Sequence, residues 1–292
     1  MVRLRAFPLV LSLLILPAAT LAQGAKHAAR QGARQAAQQE AGGPRVTVMP
    51  VFFVPSDEAG PTPTQSQDLM RHLRLVRDRY KELLGGTATF QLAAQTPLVY
   101  KSRYPLAHYR REDRIAAQFV PELLSYFKVD EKTCSKIFVV VLMNPHDNFP
   151  AGGGRPINGG FGTGGGALAI SSRRLEPNGT IQGLLQHELG HTFGLPHPDA
   201  YGYDQKTNAS IMAYNPAHRT HGFNPAATPG VLIPEDRRGL ALNQRVFPGL
   251  TFDEKRDVPA GYRLARLVKL GPMDLDFTSN KPHERDTAEP DN

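Results

Sequence analysis

The sequence has one cysteine, Cys134, in 292 residues. An internal disulfide is therefore impossible, and stability must come from a packed core. Long apolar runs are missing as well. Leu9–Leu16 is too short to span a bilayer, and no other stretch approaches the ~20 apolar residues of a membrane helix. No strand–glycine loop–Lys-Ser/Thr arrangement is present, so the glycine triplets at 152–154 and 164–166 make no phosphate loop. Nor does a nucleic-acid motif accompany the net charge of +7. Residues 1–44 hold five basic residues and one acidic, and 273–292 two basic and six acidic, which leaves 27 basic against 20 acidic between them. A basic body favours acidic substrates or anionic envelope surfaces, but without a motif it reads chiefly as solvated surface.

The first 22 residues have the layout of a secretory signal. Arg3 and Arg5 form a basic start, Leu9–Leu16 an apolar core and Thr20-Leu21-Ala22 a small-residue exit. No cysteine lies near that exit, which argues against a lipid anchor. The mature chain is therefore expected to be secreted or periplasmic. Residues 23–44 are mostly Ala, Gln, Gly and Arg and have no apolar face to bury, as in a linker or a short pro-segment. The polar, acidic 273–292 reads as a flexible tail, leaving 45–272 for the folded domain.

The chemistry is concentrated in Gln186–His197, which carries the spacing H-E-x-x-H-x-x-G-x-x-H. On a helix over 180–193, His187 and His191 project from one face four residues apart and can grip one zinc ion at ~2.0–2.1 Å. Glu188 follows the first histidine and faces the open coordination position, where a general base belongs. Gly194 falls where the helix should stop, because glycine takes a left-handed conformation without steric cost. The chain then turns and brings in His197 as third ligand. Three protein ligands leave a fourth position for water or substrate, the mark of a catalytic zinc.

Downstream, Ser210-Ile211-Met212-Ala213-Tyr214 follows the third histidine by a short loop. With these residues the chain resembles the metzincin zinc endopeptidases, which join the long histidine motif to a methionine-containing turn. The S-x-M-x-Y form and the His197-Pro198 step are similar to astacin-like and serralysin-like members. The G-G-x-G-x-D calcium repeats of the serralysin C-terminal roll are absent, so the resemblance stops at the clan. It implies that Met212 forms a floor under the metal and that Tyr214 helps stabilise the tetrahedral intermediate. It also implies that Gly166, Ala167, Leu168, Ala169 and Ile170, just before the zinc helix, form a sheet edge that pairs with extended substrate. Residues 215–224 would wall the pocket after the scissile bond, with His218 and His221 facing the pocket or solvent. A pro-segment at 23–44 has neither cysteine nor aspartate to block the metal. Calcium on the long glycine-rich loop is a further possibility that no ligand pattern supports, and His146 and Asp147 lack partners for a second metal site.

Periodicity orders the rest. Arg45–Val54 reads as a first strand. Leu69, Leu73, Val76, Tyr80 and Leu83 mark an amphipathic helix ended by Gly85-Gly86. Pro61 and Pro63 punctuate the loop before it, and Thr87–Ala93 alternates like a second strand. Ile115, Phe119, Leu123 and Tyr126 suggest a helix interrupted or restarted at Pro121. Lys136–Met143 is a strand buried on both faces, 144–166 a long loop, and Ala167–Ser171 a short strand. Thr180 caps the zinc helix, whose Ile181, Leu184 and Leu185 face the core. Pro234–Val246 is a final helix with Leu240, Leu242 and Val246 inward; Asp253–Val258 is a turn and Tyr262–Leu270 a late extended segment. The resemblance implies an α+β, metzincin-like catalytic domain. Its upper lobe is a twisted mixed sheet with packed helices and the zinc helix; its lower lobe is small and irregular, with a C-terminal helix.

The reading is an exported zinc endopeptidase acting on protein or peptide, with no nucleic-acid partner and no membrane span. Its rivals are a catalytically silent zinc-bearing binding protein, a zinc hydrolase of cell-wall peptides and a narrowly specific processing enzyme. The sequence leaves the oligomeric state open.

Overall fold

The apolar run KIFVVVL becomes β4 (Lys136–Leu142), the middle strand of a six-stranded sheet. The computed structural model describes residues 45–109, 115–144, 153–157, 165–175, 180–215, 217 and 228–265. The expectations for 1–44, for His146 and Asp147, for His218 and His221 and for the acidic tail lie outside these residues.

β1 (Thr47–Val54) runs parallel to β4 on one side, and β6 (Gly166–Ser171) on the other. β5 (Gly153–Pro156) closes that side, antiparallel to β6. β2 (Gln91–Leu92) and β3 (Leu98–Lys101) share the far side of β1, one pairing its start and the other its end. The sheet is thus mixed but mostly parallel, and helices cover both faces. Ile137, Val139 and Val141 of β4, with Leu168 and Ile170 of β6, pack against helix α1 (Pro63–Leu83) and helix α4 (Thr180–Thr192). The alternate residues Phe138, Val140, Leu142, Ala167 and Ala169 pack against α2 (Leu106–Tyr109) and α3 (Ile115–Phe127). A period of two along each strand therefore feeds two cores. Each fully buried Leu, Val or Phe contributes ~1.5–3 kcal/mol.

Several boundaries differ from the sequence expectation. Pro63 does not belong to the loop; it opens α1, behind a capping box in which Thr62 and Gln65 bond each other's backbone N–H. Thr87–Ala93 yields only the two residues of β2. The Thr87 and Thr89 hydroxyls donate instead to the Leu84 and Arg77 carbonyls at the end of α1, a local alternative to a sheet ladder. β3 was not anticipated. Pro121 does not interrupt α3, because Phe119, Val120, Leu123 and Leu124 are buried around it and outweigh one missing N–H. Tyr126, on the expected apolar stripe, is 52% exposed and stacks edge-on against Tyr100.

Two corrections bear on the site. Residues 144–166 are not one loop, since Gly153–Pro156 forms β5. As a result Gly166–Ser171 is not the sheet edge. Every residue of β6 is buried, with β4 on one flank and β5 on the other.

Beyond α4 the chain is irregular. A short 3₁₀ turn (Pro198–Tyr201) precedes α5 (Pro234–Leu242) and α6 (Glu254–Asp257). The expected turn at Asp253–Val258 is thus a single helical turn, capped by the Asp253 carboxylate on the Lys255 N–H. In α5, Leu240 is buried and Leu242 is 66% exposed, so the helix ends earlier than its apolar spacing suggests. Val246, beyond it, is buried. Residues 262–265 carry no regular element, and the rest of Tyr262–Leu270 is outside the described residues. Among the described residues no helix is long and apolar enough to cross a membrane.

Candidate metal centre

Helix α4 has Ile181, Leu184, Leu185 and Leu189 against the sheet, which turns His187 and His191 towards the opposite side. It ends in a Schellman turn. Gly194 has φ 95°, its N–H donates to the His191 carbonyl, and the Leu195 N–H donates to the Gly190 carbonyl. The reversal delivers His197, which leads extended into the 3₁₀ turn with Pro198 as its first residue.

The three Nε2 atoms then converge. His187 and His191 are 3.1 Å apart, His191 and His197 3.0 Å, and His187 and His197 3.2 Å. Nitrogens at ~2.0–2.1 Å around one tetrahedral ion would be separated by ~3.3 Å, so the triangle fits such an ion closely. The tautomers agree. His187 Nδ1 lies 3.0 Å from the Ile211 carbonyl and His191 Nδ1 2.8 Å from the Leu195 carbonyl. An Nδ1–H donated to each oxygen leaves both Nε2 lone pairs facing the centre. Lone pairs this close repel unless a cation sits between them. His187, His191 and His197 are the cluster among the described residues that could hold a metal ion.

Glu188 is buried beside the triad. Burial pushes its carboxyl up to about 7, and a hydrogen bond from the Gly154 N–H pulls the other way. A cation at the triad would also pull it down. Gly154 is glycine for a steric reason: a Cβ there would lie 2.2 Å from the Glu188 backbone oxygen. β5 therefore rests directly on α4. The Ile157 N–H donates to Gly165, which sets the hydrogen-bonded rungs of the β5–β6 pair at every second residue. Gly154 and Pro156 fall between those rungs and present their backbone to the side away from β6, which no strand among the described residues pairs.

Met212 is fully buried under α4. A Cβ at Gly190 would lie 2.3 Å from its sulfur and 3.2 Å from the Tyr80 hydroxyl, so the unremarked glycine of the motif makes room for the methionine. Tyr80 donates to the Gln186 carbonyl at 2.8 Å, tying α1 to α4. The Tyr214 ring lies 4.8 Å from the His197 ring and 5.3 Å from the His187 ring, and it is 39% exposed. Burial and the Glu188 charge push its hydroxyl up, so it stays protonated and can donate. Gly166, Ala167, Leu168, Ala169 and Ile170 lie one strand in from the edge, with their backbone engaged on both sides.

Sequence reasoning missed Gly154 and Gly190, and read Tyr80 only as part of an apolar helix face. Only Gly190 had an available signal, since a glycine inside a helix that is not a cap asks for a packing reason.

The site is thus a cluster of three histidines that could hold a metal ion, with a buried carboxylate at its side, on a helix packed beneath a mixed sheet. No family model and no curated protein sequence matches the chain. Among solved structures it is similar to catalytically inactive OgpA from Akkermansia muciniphila, in complex with an O-glycopeptide (glycodrosocin) substrate. That likeness has 17% identity and a TM-score of 0.42, covering 68% of this chain and 60% of that one. It is also similar to metalloproteinase-II from Bacteroides fragilis, with 16% identity and a TM-score of 0.38, over 68% of this chain and 53% of that one. The chain spans little more than half the length of these two proteins.

Proposed function

We propose that the chain is an exported zinc endopeptidase of the metzincin type. The observation that carries this reading is the convergence of three Nε2 atoms beside a buried carboxylate that has no counter-charge among the described residues.

A bound zinc ion would supply an acidified water and polarise the scissile carbonyl. His187, His191 and His197 would hold it, with the first two fixed by carbonyls behind them. Glu188 takes the proton from the water and returns it to the leaving nitrogen. Its raised affinity for a proton suits both halves of that exchange. Tyr214 donates a hydrogen bond to the oxyanion as the carbonyl carbon becomes tetrahedral. Met212, locked against Gly190, supports the ligands from below. Substrate pairing moves from β6 to β5, whose free edge lies over Glu188. The Gly154 N–H is already given to Glu188 and Pro156 has none, so the incoming peptide supplies the donors. Export rests on the signal-like residues 1–22, and the catalytic domain on 45–272.

The test is zinc content together with cleavage of a random peptide library, on wild type, Glu188→Gln and His191→Ala. One zinc in wild type and Glu188→Gln, with cleavage by wild type alone, supports the reading. His191→Ala should lose both. No zinc in metal-replete wild type would sink it, and zinc without cleavage would favour a silent zinc-bearing binding protein.

A further inference from the structure

We propose that helix α5 sets the metal affinity of the triad, acting through two positioning residues, Asp236 in its first turn and Asn243 at its C-terminal cap. The inference rests on the metal-centre reading of the three histidines.

Asp236 is fully buried, and among the described residues no cation pairs with it. Its Oδ2 accepts the Ser210 hydroxyl at 2.5 Å and the Ile233 N–H at 3.3 Å, while Oδ1 has no partner among the described residues. A carboxylate in that position is costly, and an apolar side chain of similar size would pack at lower cost. The burial of Leu240 already secures the helix. What the carboxylate adds is a link. Ser210 Oγ accepts the Met212 N–H at 2.9 Å and gives its own proton to Asp236, so the carboxylate fixes the hydroxyl that holds the turn. Between these two residues lies Ile211, whose carbonyl accepts from His187. The carboxylate is thus connected to the first ligand through one short turn.

The other end of α5 repeats the arrangement. Asn243 Nδ2 donates to the Phe193 carbonyl at 3.1 Å, the last carbonyl before the left-handed Gly194. That turn presents the Leu195 carbonyl to His191 and carries the chain to His197. Each of the two turns whose carbonyl orients a ligand ring is therefore bonded, one or two residues from that carbonyl, by a polar side chain from a different end of the same helix. Groups that bond a ligand ring directly set its geometry, and losing one weakens metal binding by ~10–100-fold; Asp236 and Asn243 act one step further out, through the turns that carry those groups.

The experiment uses the full chain, stripped of metal. Zinc affinity is measured by chelator competition and ligand geometry by the visible spectrum of the cobalt(II)-loaded protein. Asp236→Ala, Ser210→Ala and Asn243→Ala should each weaken zinc by ~10-fold, the low end of that range, and shift the cobalt bands. Asp236→Asn keeps the acceptor and should stay close to wild type, as should Leu242→Ala on the exposed side of α5. Folding is checked by near-ultraviolet circular dichroism; if Asp236→Ala does not fold, Ser210→Ala and Asn243→Ala decide. Wild-type zinc affinity and cobalt bands in those folded variants, even with lowered unfolding midpoints, would make α5 a structural prop and overturn the inference. A wild-type chain that binds neither ion would instead overturn the metal-centre reading, before any variant is compared.

Discussion

Glu122 and Glu188 are two carboxylates on opposite faces of one sheet, and their surroundings differ in kind. Glu122 accepts hydroxyls from Tyr100 and Ser102 at 3.0 Å and from Tyr109 at 2.5 Å, and Ser102 and Tyr109 also bond each other. Burial, and then its bond to Glu122, push Tyr100 up to about 12, so that hydroxyl keeps its proton and remains a donor. Glu235 is satisfied in the same way, by Tyr203, Tyr262 and the Ala265 N–H at 2.7–2.9 Å. Glu188, more deeply buried, receives one backbone N–H among the described residues. A carboxylate whose lone pairs are filled staples elements together. One that is buried and left poor in donors keeps its affinity for a proton, which is what a base needs.

The largest effect that can break this contrast comes from removing charge at each site. Glu188→Gln should lower kcat by ~10²–10⁴-fold with zinc content unchanged. Glu122→Gln should leave kcat within about twofold and lower the unfolding free energy by ~1–3 kcal/mol, because a buried hydroxyl loses its acceptor. Peptide turnover and urea denaturation read the two outcomes. If Glu122→Gln lost turnover at full stability, the division between staple and base would fail.

Gly190→Ala sharpens the contrast within the working face. A Cβ at 2.3 Å from the Met212 sulfur forces the methionine aside. Overpacking of this kind costs ~1–3 kcal/mol, and the floor of the site should loosen with it, so zinc affinity falls alongside the thermal midpoint. Gly60→Ala, with nothing within 4 Å of the new carbon, is the matched control. Equal stability of the two variants would show that Met212 yields freely and is no floor.

What the sequence disclosed follows from how local each signal is. The Schellman turn at Gly194 and the apolar faces of α1 and β4 depend on residues a few positions apart, so spacing alone conveys them. β5 had no such signal. Gly-Gly-Arg-Pro lacks β-branched residues and alternation, and it becomes a strand because β6 offers a free side and Gly154 can lie on α4. Missing it also misplaced the sheet edge. The links from α5 were equally hidden, since Asp236 lies 26 residues from Ser210 and Asn243 lies 50 from Phe193. Polar residues at such separations reveal their partners only when the chain has folded.

Asp236 gives the smallest and most specific test. Burial pushes its carboxyl from 3.8 up to about 7, reinforced by the neighbouring Glu235 charge and opposed by the Ser210 hydroxyl and the Ile233 N–H. The folded chain therefore holds a proton that the unfolded chain releases between about pH 4 and about pH 7. Stability linked to this group is complete below that window and is lost as pH rises through it. The loss should be ~2–4 kcal/mol, since each pH unit of difference is worth ~1.4 kcal/mol and part of the penalty relaxes. Asp236→Asn cannot ionise and retains an acceptor for Ser210. In metal-free protein its unfolding midpoint should match wild type near pH 4 and exceed it at pH 8. Parallel curves for the two proteins would mean that Asp236 is ionised throughout the range, and that the buried charge is compensated where the fold shows only one filled oxygen.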